Sequence, residues 1–202
     1  SDNYVEYLAQ QSGGTWSRKT IAGLDALNLG SSSGIDVVSC TSTGNCSVIG
    51  DYWTDGQITK IFTLDLTAGT WGSAAAVDVA APLSSSDEQW IHTLSCSSAG
   101  NCLAGGQYSV DGTHSYPFIL EKINGTWGST TLPQSVTTRV GAYTGSTALA
   151  VCPADGDCVA AGTFQPDSNV VRSGTRNNVN MFQDSFCYHL LDLARCYNLF
   201  AL

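Results

Sequence analysis

"SCSSAGNC", residues Ser95 to Cys102, sets two cysteines six positions apart around a small polar turn. Such a pair reads as a metal clamp, a redox centre or a covalent staple, and the choice decides the fold. The stretch has two counterparts. "SCTSTGNC" runs from Ser39 to Cys46 and "VCPADGDC" from Val151 to Cys158. Their leading cysteines, Cys40, Cys96 and Cys152, are each 56 residues apart. "GTW" keeps the same beat at Gly14–Trp16, Gly69–Trp71 and Gly125–Trp127. A Gly four residues after each second cysteine (Gly50, Gly106, Gly162) and an aromatic two residues later (Tyr52, Tyr108, Phe164) stay in phase. These markers establish an internal repeat.

Each repeat reads as four short strands. "IDVVSC" (Ile35–Cys40) is the first and "CSVIGDYW" (Cys46–Trp53) the second. "KIFTLDL" (Lys60–Leu66) and "YPFILEKI" (Tyr116–Ile123) alternate in the manner of half-buried strands. Asn124-Gly125 is a strong hairpin signal before the fourth strand. Four antiparallel strands per repeat make one blade of a propeller. The expected fold is therefore all-β and β-propeller-like over residues 1–168, with about three blades' worth of four-stranded antiparallel sheet. The chain opens inside a third strand, because Tyr7 aligns with Phe62 and Phe118. It ends the repeat region on a first and a second strand. Completion of the last blade by the N-terminal strands, with some self-association, is expected. A two-chain ring or a segment of a longer chain are the alternatives.

Residues 169–202 form a divergent tail. Phe186, Leu190, Leu193, Tyr197 and Phe200 recur at steps of 4, 3, 4 and 3. That spacing predicts a helix over 185–200, with Asp184 or Ser185 as N-cap. Its expected role is to cover a blade edge or the channel mouth, or to bind a partner.

Three readings compete for each cysteine pair. Zinc knuckles use shorter spacings plus a second ligand pair, and His92, His114 and His189 show no ligand spacing. No Cys-x-x-Cys redox motif is present. A hairpin turn brings two cysteines within bonding reach, so staples are expected at Cys40–Cys46, Cys96–Cys102 and Cys152–Cys158. Local disulfides imply an oxidising, extracellular compartment. On a continuous helix Cys187 and Cys196 fall on opposite faces, so they are read as free or intermolecular.

The pattern SC-x-S-x-GNC, then G-x-Y, F-x-L and GTWG, resembles repeats of secreted actinobacterial proteins over residues 4–168. The resemblance implies a secreted repeat protein and carries no activity, cofactor or site residue with it. WD40, kelch and sialidase-type propellers are similar in architecture alone.

Composition narrows the function. Hydrophobic residues make up 43% of the 202, enough for a core, while only 12% are charged. The net charge of −9 repels phosphate backbones and disfavours nucleic acid. No apolar run is long enough to span a membrane. No nucleophile elbow, zinc-protease motif or phosphate loop occurs. No metal site or cofactor is expected. Trp16, Trp71 and Trp127 recur with the repeat and read as packing residues, whereas Trp53 and Trp90 do not and are the candidate ligand platform. Asp55 and Asp111, at equivalent turns, and His114 join them as candidate ligand-binding residues. Asp87 and Glu88 near His92 read as a carboxylate–histidine pair or as a solvated acidic loop. The sequons at Asn45 and Asn124 are read as turn residues. The expected function is a secreted binding or interaction module for carbohydrate or a surface protein. A self-assembling extracellular structural protein and a propeller-type glycosidase are the alternatives.

Overall fold

The computed structural model describes residues 6–30, 32–77, 87–109, 112–128, 143–166 and 184–189. Strands β1 (Leu8–Ser12) and β2 (Thr15–Lys19) form a separate hairpin, followed by the single helical turn α1 (Leu24–Leu27). The first complete sheet runs β3 (Ser33–Ser42), β4 (Asn45–Trp53), β5 (Thr59–Thr67), β6 (Thr70–Trp71), with β7 (Ala75–Ala76) also on β5. The second runs β8 (Glu88–Ser98), β9 (Asn101–Ser109), β10 (Ser115–Ile123), β11 (Thr126–Trp127). The third comprises β12 (Tyr143–Ala154), β13 (Asp157–Pro166) and β14 (Asp184–His189). Pairing within each sheet is antiparallel, and a single parallel bridge, Ser115 to Thr144, joins the second sheet to the third. The protein is all-β, as the alternation required. No helix among the described residues is long and apolar enough to cross a membrane.

The sheets stack face to face in chain order, and the parity of each strand decides which neighbour a side chain meets. Val48, Phe62 and Leu64 pack with Leu8 and Leu24 on the N-terminal side. Ile49 and Ile61, on the opposite face, pack with Ala104, Phe118 and Leu120 of the second sheet. Leu103 and Ile119 then meet Cys152, Cys158 and Ala160 of the third. The central strands are thus buried on both faces, which explains their nearly continuous apolar runs. Each fully buried Phe or Leu contributes about 2 kcal/mol by area.

The repeated motif residues all have structural work. Cys40–Cys46, Cys96–Cys102 and Cys152–Cys158 are disulfides with Cα atoms 4.0, 4.0 and 4.1 Å apart, joining residues at one end of each first hairpin. Ser39 and Ser95, before the first two leading cysteines, link consecutive sheets. Cys96 N–H donates to Ser39 Oγ at 3.0 Å, and Cys152 N–H donates to Ser95 Oγ at 2.9 Å. Edge amides of the first strands are satisfied in this way. Asn45 and Asn101 accept from Ala68 N–H and Asn124 N–H, both at 3.1 Å, pinning the hairpin of the third and fourth strands. Those hairpins turn on residue pairs with both φ positive, Ala68-Gly69 (48°, 83°) and Asn124-Gly125 (51°, 85°). A β-bulge in each first strand brings its backbone onto Gly50, Gly106 or Gly162. A Cβ there would stand 2.0, 1.9 or 2.0 Å from a carbonyl oxygen of Gly34, Trp90 or Ser146, so only glycine fits.

Two expectations are overturned. The segment expected to start a helix at 185 is strand β14 through His189, and residues 190–202 lie outside the described residues. The reason lies in register. Phe186 stands opposite Gly162 as Phe62 stands opposite Gly50 and Phe118 opposite Gly106. The open edge of β13 takes a third strand after a longer connection, and that pairing outweighs the helical spacing of Phe186 and Leu190. The N-terminal strands do not complete the last blade. β1 and β2 form their own sheet against the first repeat, and β14 holds the place on β13 that they would have filled.

Candidate functional site

The ligand-binding candidates fall at the end of the sheets away from the disulfides. Trp53 closes β4 and is half-buried, its backbone tied to Gly30, Ser32 and Asn28. Asp55 is exposed in the following turn, where its carboxylate accepts from Gly56 N–H at 2.9 Å. Trp90 lies half-buried on β8 opposite Gln107. His114 is half-buried before β10, its Nδ1 3.2 Å from Thr113 Oγ1. Asp111 lies outside the described residues, as does Cys196, while Cys187 lies on β14 opposite Ala161. Topology therefore brings Trp53, Asp55, Trp90 and His114 to one end of two neighbouring sheets.

The acidic segment before His92 is not a solvated loop. Asp87 is 3% exposed, and its carbonyl accepts from Lys60 Nζ at 2.7 Å. His92 is the exposed bulge residue of β8. Five residues of extended chain place it roughly 16 Å from Asp87 along the strand.

Trp16 departs from its expected packing role. It is 66% exposed, whereas Trp71 and Trp127 are half-buried. The Trp71 indole donates to Gln10 Oε1 of β1 at 3.1 Å, fastening the N-terminal hairpin to the first sheet. Among the described residues no sheet covers Trp16. Beside it lies a groove of about 1110 Å³, walled by Tyr7, Gln11, Trp16, Val38, Cys40 and Thr43 among others. Tyr7 is 74% exposed and Val38 60%. The groove has a geometrical explanation. β1 and β2 correspond to the third and fourth strands of a repeat, since Gly14–Trp16 matches Gly69–Trp71. In the complete sheets the third strand pairs with a second on its other edge. Among the described residues no strand pairs with β1 on that edge, and the groove lies beside it.

A pair of carboxyl groups marks the first bulge. Asp36 is the bulged residue of β3, and its carboxyl shares a hydrogen bond with Asp51 of β4. Burial of the Asp36 carboxyl, then the charge of Asp51, pushes it up to about 7, although the residue keeps an exposed flank. Burial also raises Asp51, while its own backbone amide and Asp36 work the other way. Glu6 adds negative charge nearby and accepts from Ser33 Oγ at 2.7 Å. The pair holds one proton near neutrality. Hydrogen-bonded carboxyls are too close for glycoside hydrolysis, which needs separations of about 5 Å or more. Neither residue recurs: the matching positions are His92 and Ala148 for Asp36, and Gln107 and Thr163 for Asp51. That loss of repetition was the readable signal.

Among the described residues, no group of three or more His, Cys, Asp or Glu side chains is placed to hold a metal ion. No family model matches the chain. No curated protein matches it either.

Proposed function

We propose that the chain is a secreted, propeller-like binding module that takes an extended polypeptide of another protein into the groove beside β1. The observation that carries the reading is the groove beside β1, whose second edge has no strand partner among the described residues. In a hairpin closed by two residues, Ser12 and Thr15 exchange hydrogen bonds, so Gln10 and Leu8 also point their amides at β2. Ala9 and Gln11 then point theirs into the groove. Strand addition to such an edge supplies affinity through main-chain bonds, and side pockets supply selectivity. The face of β3 across the groove offers Val38 and Ile35 as apolar cover. Three disulfides in the chain are compatible with an oxidising, extracellular location. Antiparallel sheets with the same succession of first, second and third strands, packed in chain order, support the propeller-like reading. Carbohydrate recognition fits less well, because the amide of Gln10 is already engaged by Trp71.

The test uses an oxidised peptide with the sequence of residues 33–53, which carries first and second strands of the repeat type. Saturable binding that Ala9→Pro abolishes supports the reading. Binding that Ala9→Pro leaves intact contradicts it, and glycan-array binding insensitive to Ala9→Pro would favour the carbohydrate class.

A second reading, self-association, is favoured by the other end of the stack. There Leu149 and Val151 of β12 are 65% and 60% exposed, at the positions where β8 carries Thr93 and Ser95. Sedimentation at high concentration separates the two, since a strict monomer excludes self-association.

A further inference from the structure

The second and third sheets hold between them a copy of the ion-pair site that the first and second sheets fill, and in this copy no described residue supplies the cation. In the filled site Lys122 is 3% exposed. Its ammonium lies 2.8 Å from the Asp65 carboxylate, 3.3 Å from Ser47 Oγ and 3.4 Å from the carbonyl of Ala99. Lys122 points back from β10 onto the first sheet, and Asp65 points forward from β5. One repeat later, Glu121 occupies the place of Asp65, Leu103 that of Ser47, and Asp155 that of Ala99. The place of Lys122 itself falls one residue beyond His189 in the register of β14. That position is Leu190 in the sequence and lies outside the described residues.

The corresponding space is a recess of about 290 Å³, lined by Leu103, Glu121, Ile123, Gly156 and Cys158 among others. Its walls are mainly apolar and Glu121 is half-buried. No cation or donor meets the Glu121 carboxylate among the described residues. Burial raises its pKa, the cost of leaving a carboxylate unpaired in such a place.

We propose that this recess is a binding site for a primary alkylammonium group, a lysine side chain of a partner protein above all, with Glu121 as its counter-ion and Leu103 and Ile123 along its methylene stem. The chain's own Lys122 site is the template: an apolar stem laid along a sheet face, with the ammonium delivered to a forward-pointing carboxylate. Lysine suits the site better than arginine, because the template presents a single carboxylate and a carbonyl to a point charge and not a paired acceptor to a planar fork. The inference does not depend on the groove beside β1, which lies at the other end of the stack.

The probe is Nα-acetyl-lysine methylamide, titrated into the full chain and followed by amide chemical shifts. The expected result is saturable, millimolar binding with shifts at Glu121, Leu103 and Gly156. Glu121→Gln should weaken it at least tenfold. Nα-acetyl-norleucine methylamide, lacking the ammonium, should not bind. Equal shifts with the norleucine probe, or binding that survives Glu121→Gln, would overturn the proposal. Glu121→Gln should leave binding of the 33–53 peptide unchanged, so the two readings fail separately.

Discussion

The ammonium of Lys122 and the carboxylate of Asp65 meet at 2.8 Å across the boundary between two sheets, with unequal exposure: 2% for the lysine side chain and 34% for the aspartate. The inequality predicts unequal mutants. Asp65→Asn strands a buried ammonium and should cost about 3 kcal/mol. Lys122→Met leaves a carboxylate that water still reaches and should cost about 1 kcal/mol. Denaturant unfolding measures both. Equal losses would mean that the two charges share one environment.

Gly106 should tolerate nothing larger. A Cβ there would stand 1.9 Å from the Trp90 carbonyl oxygen, which belongs to backbone. Gly106→Ala is therefore expected to cost about 3 kcal/mol or more, in the range of severe core defects. Gly56, where the nearest neighbour is 3.7 Å away, serves as the control. Gly56→Ala should change stability by less than about 0.5 kcal/mol.

Ala68 adopts φ 48° in a turn where the next repeat has Asn124 at 51°. Alanine is strained in that region and asparagine less so. Ala68→Asn should stabilise the protein by about 1 kcal/mol and raise Tm by about 3 °C. A thermal scan that shows no gain would place the strain elsewhere.

The carboxyl pair predicts a pH dependence. The folded Asp36 holds its proton up to about 7, against an ordinary value of 3.8. The folded state thus binds more protons than the unfolded chain between those values. Stability must fall as pH rises through this window. Asp36→Asn should flatten the slope and make the variant more stable at pH 8, by about 1 kcal/mol after screening at the exposed flank. Unfolding curves from pH 4 to pH 8 provide the measurement. A slope that persists in the variant would assign the titration to another group.

Much of this architecture was legible in the sequence because repetition converts position into structure. The 56-residue beat located the staples and the glycines that stand at the bulges. The place of Phe186 was hidden, because 24 residues separate it from Gly162 where 12 separate Phe62 from Gly50. Its spacing with Leu190 also satisfies a helix, and a single chain segment cannot weigh that against an open strand edge. The pair Asp36 and Asp51 was hidden for a different reason. Fifteen residues separate them in the chain, and only the bulge at Asp36 lets them meet. The groove beside β1 depends on how the N-terminal hairpin sits on the first sheet, so no local motif announces it. Trp53 and Trp90 were favoured because they do not recur, yet Trp16, which does recur, is the exposed tryptophan.

Hydrogen exchange at the amides of Ala9 and Gln11, with and without the oxidised 33–53 peptide, tests the central claim most directly. If the groove takes an added strand on the edge of β1, both amides exchange freely in the protein alone and become protected when the peptide binds, while Leu8 and Gln10 change little. Protection already present without the peptide, or peptide binding that leaves Ala9 and Gln11 exchanging freely, would contradict the account.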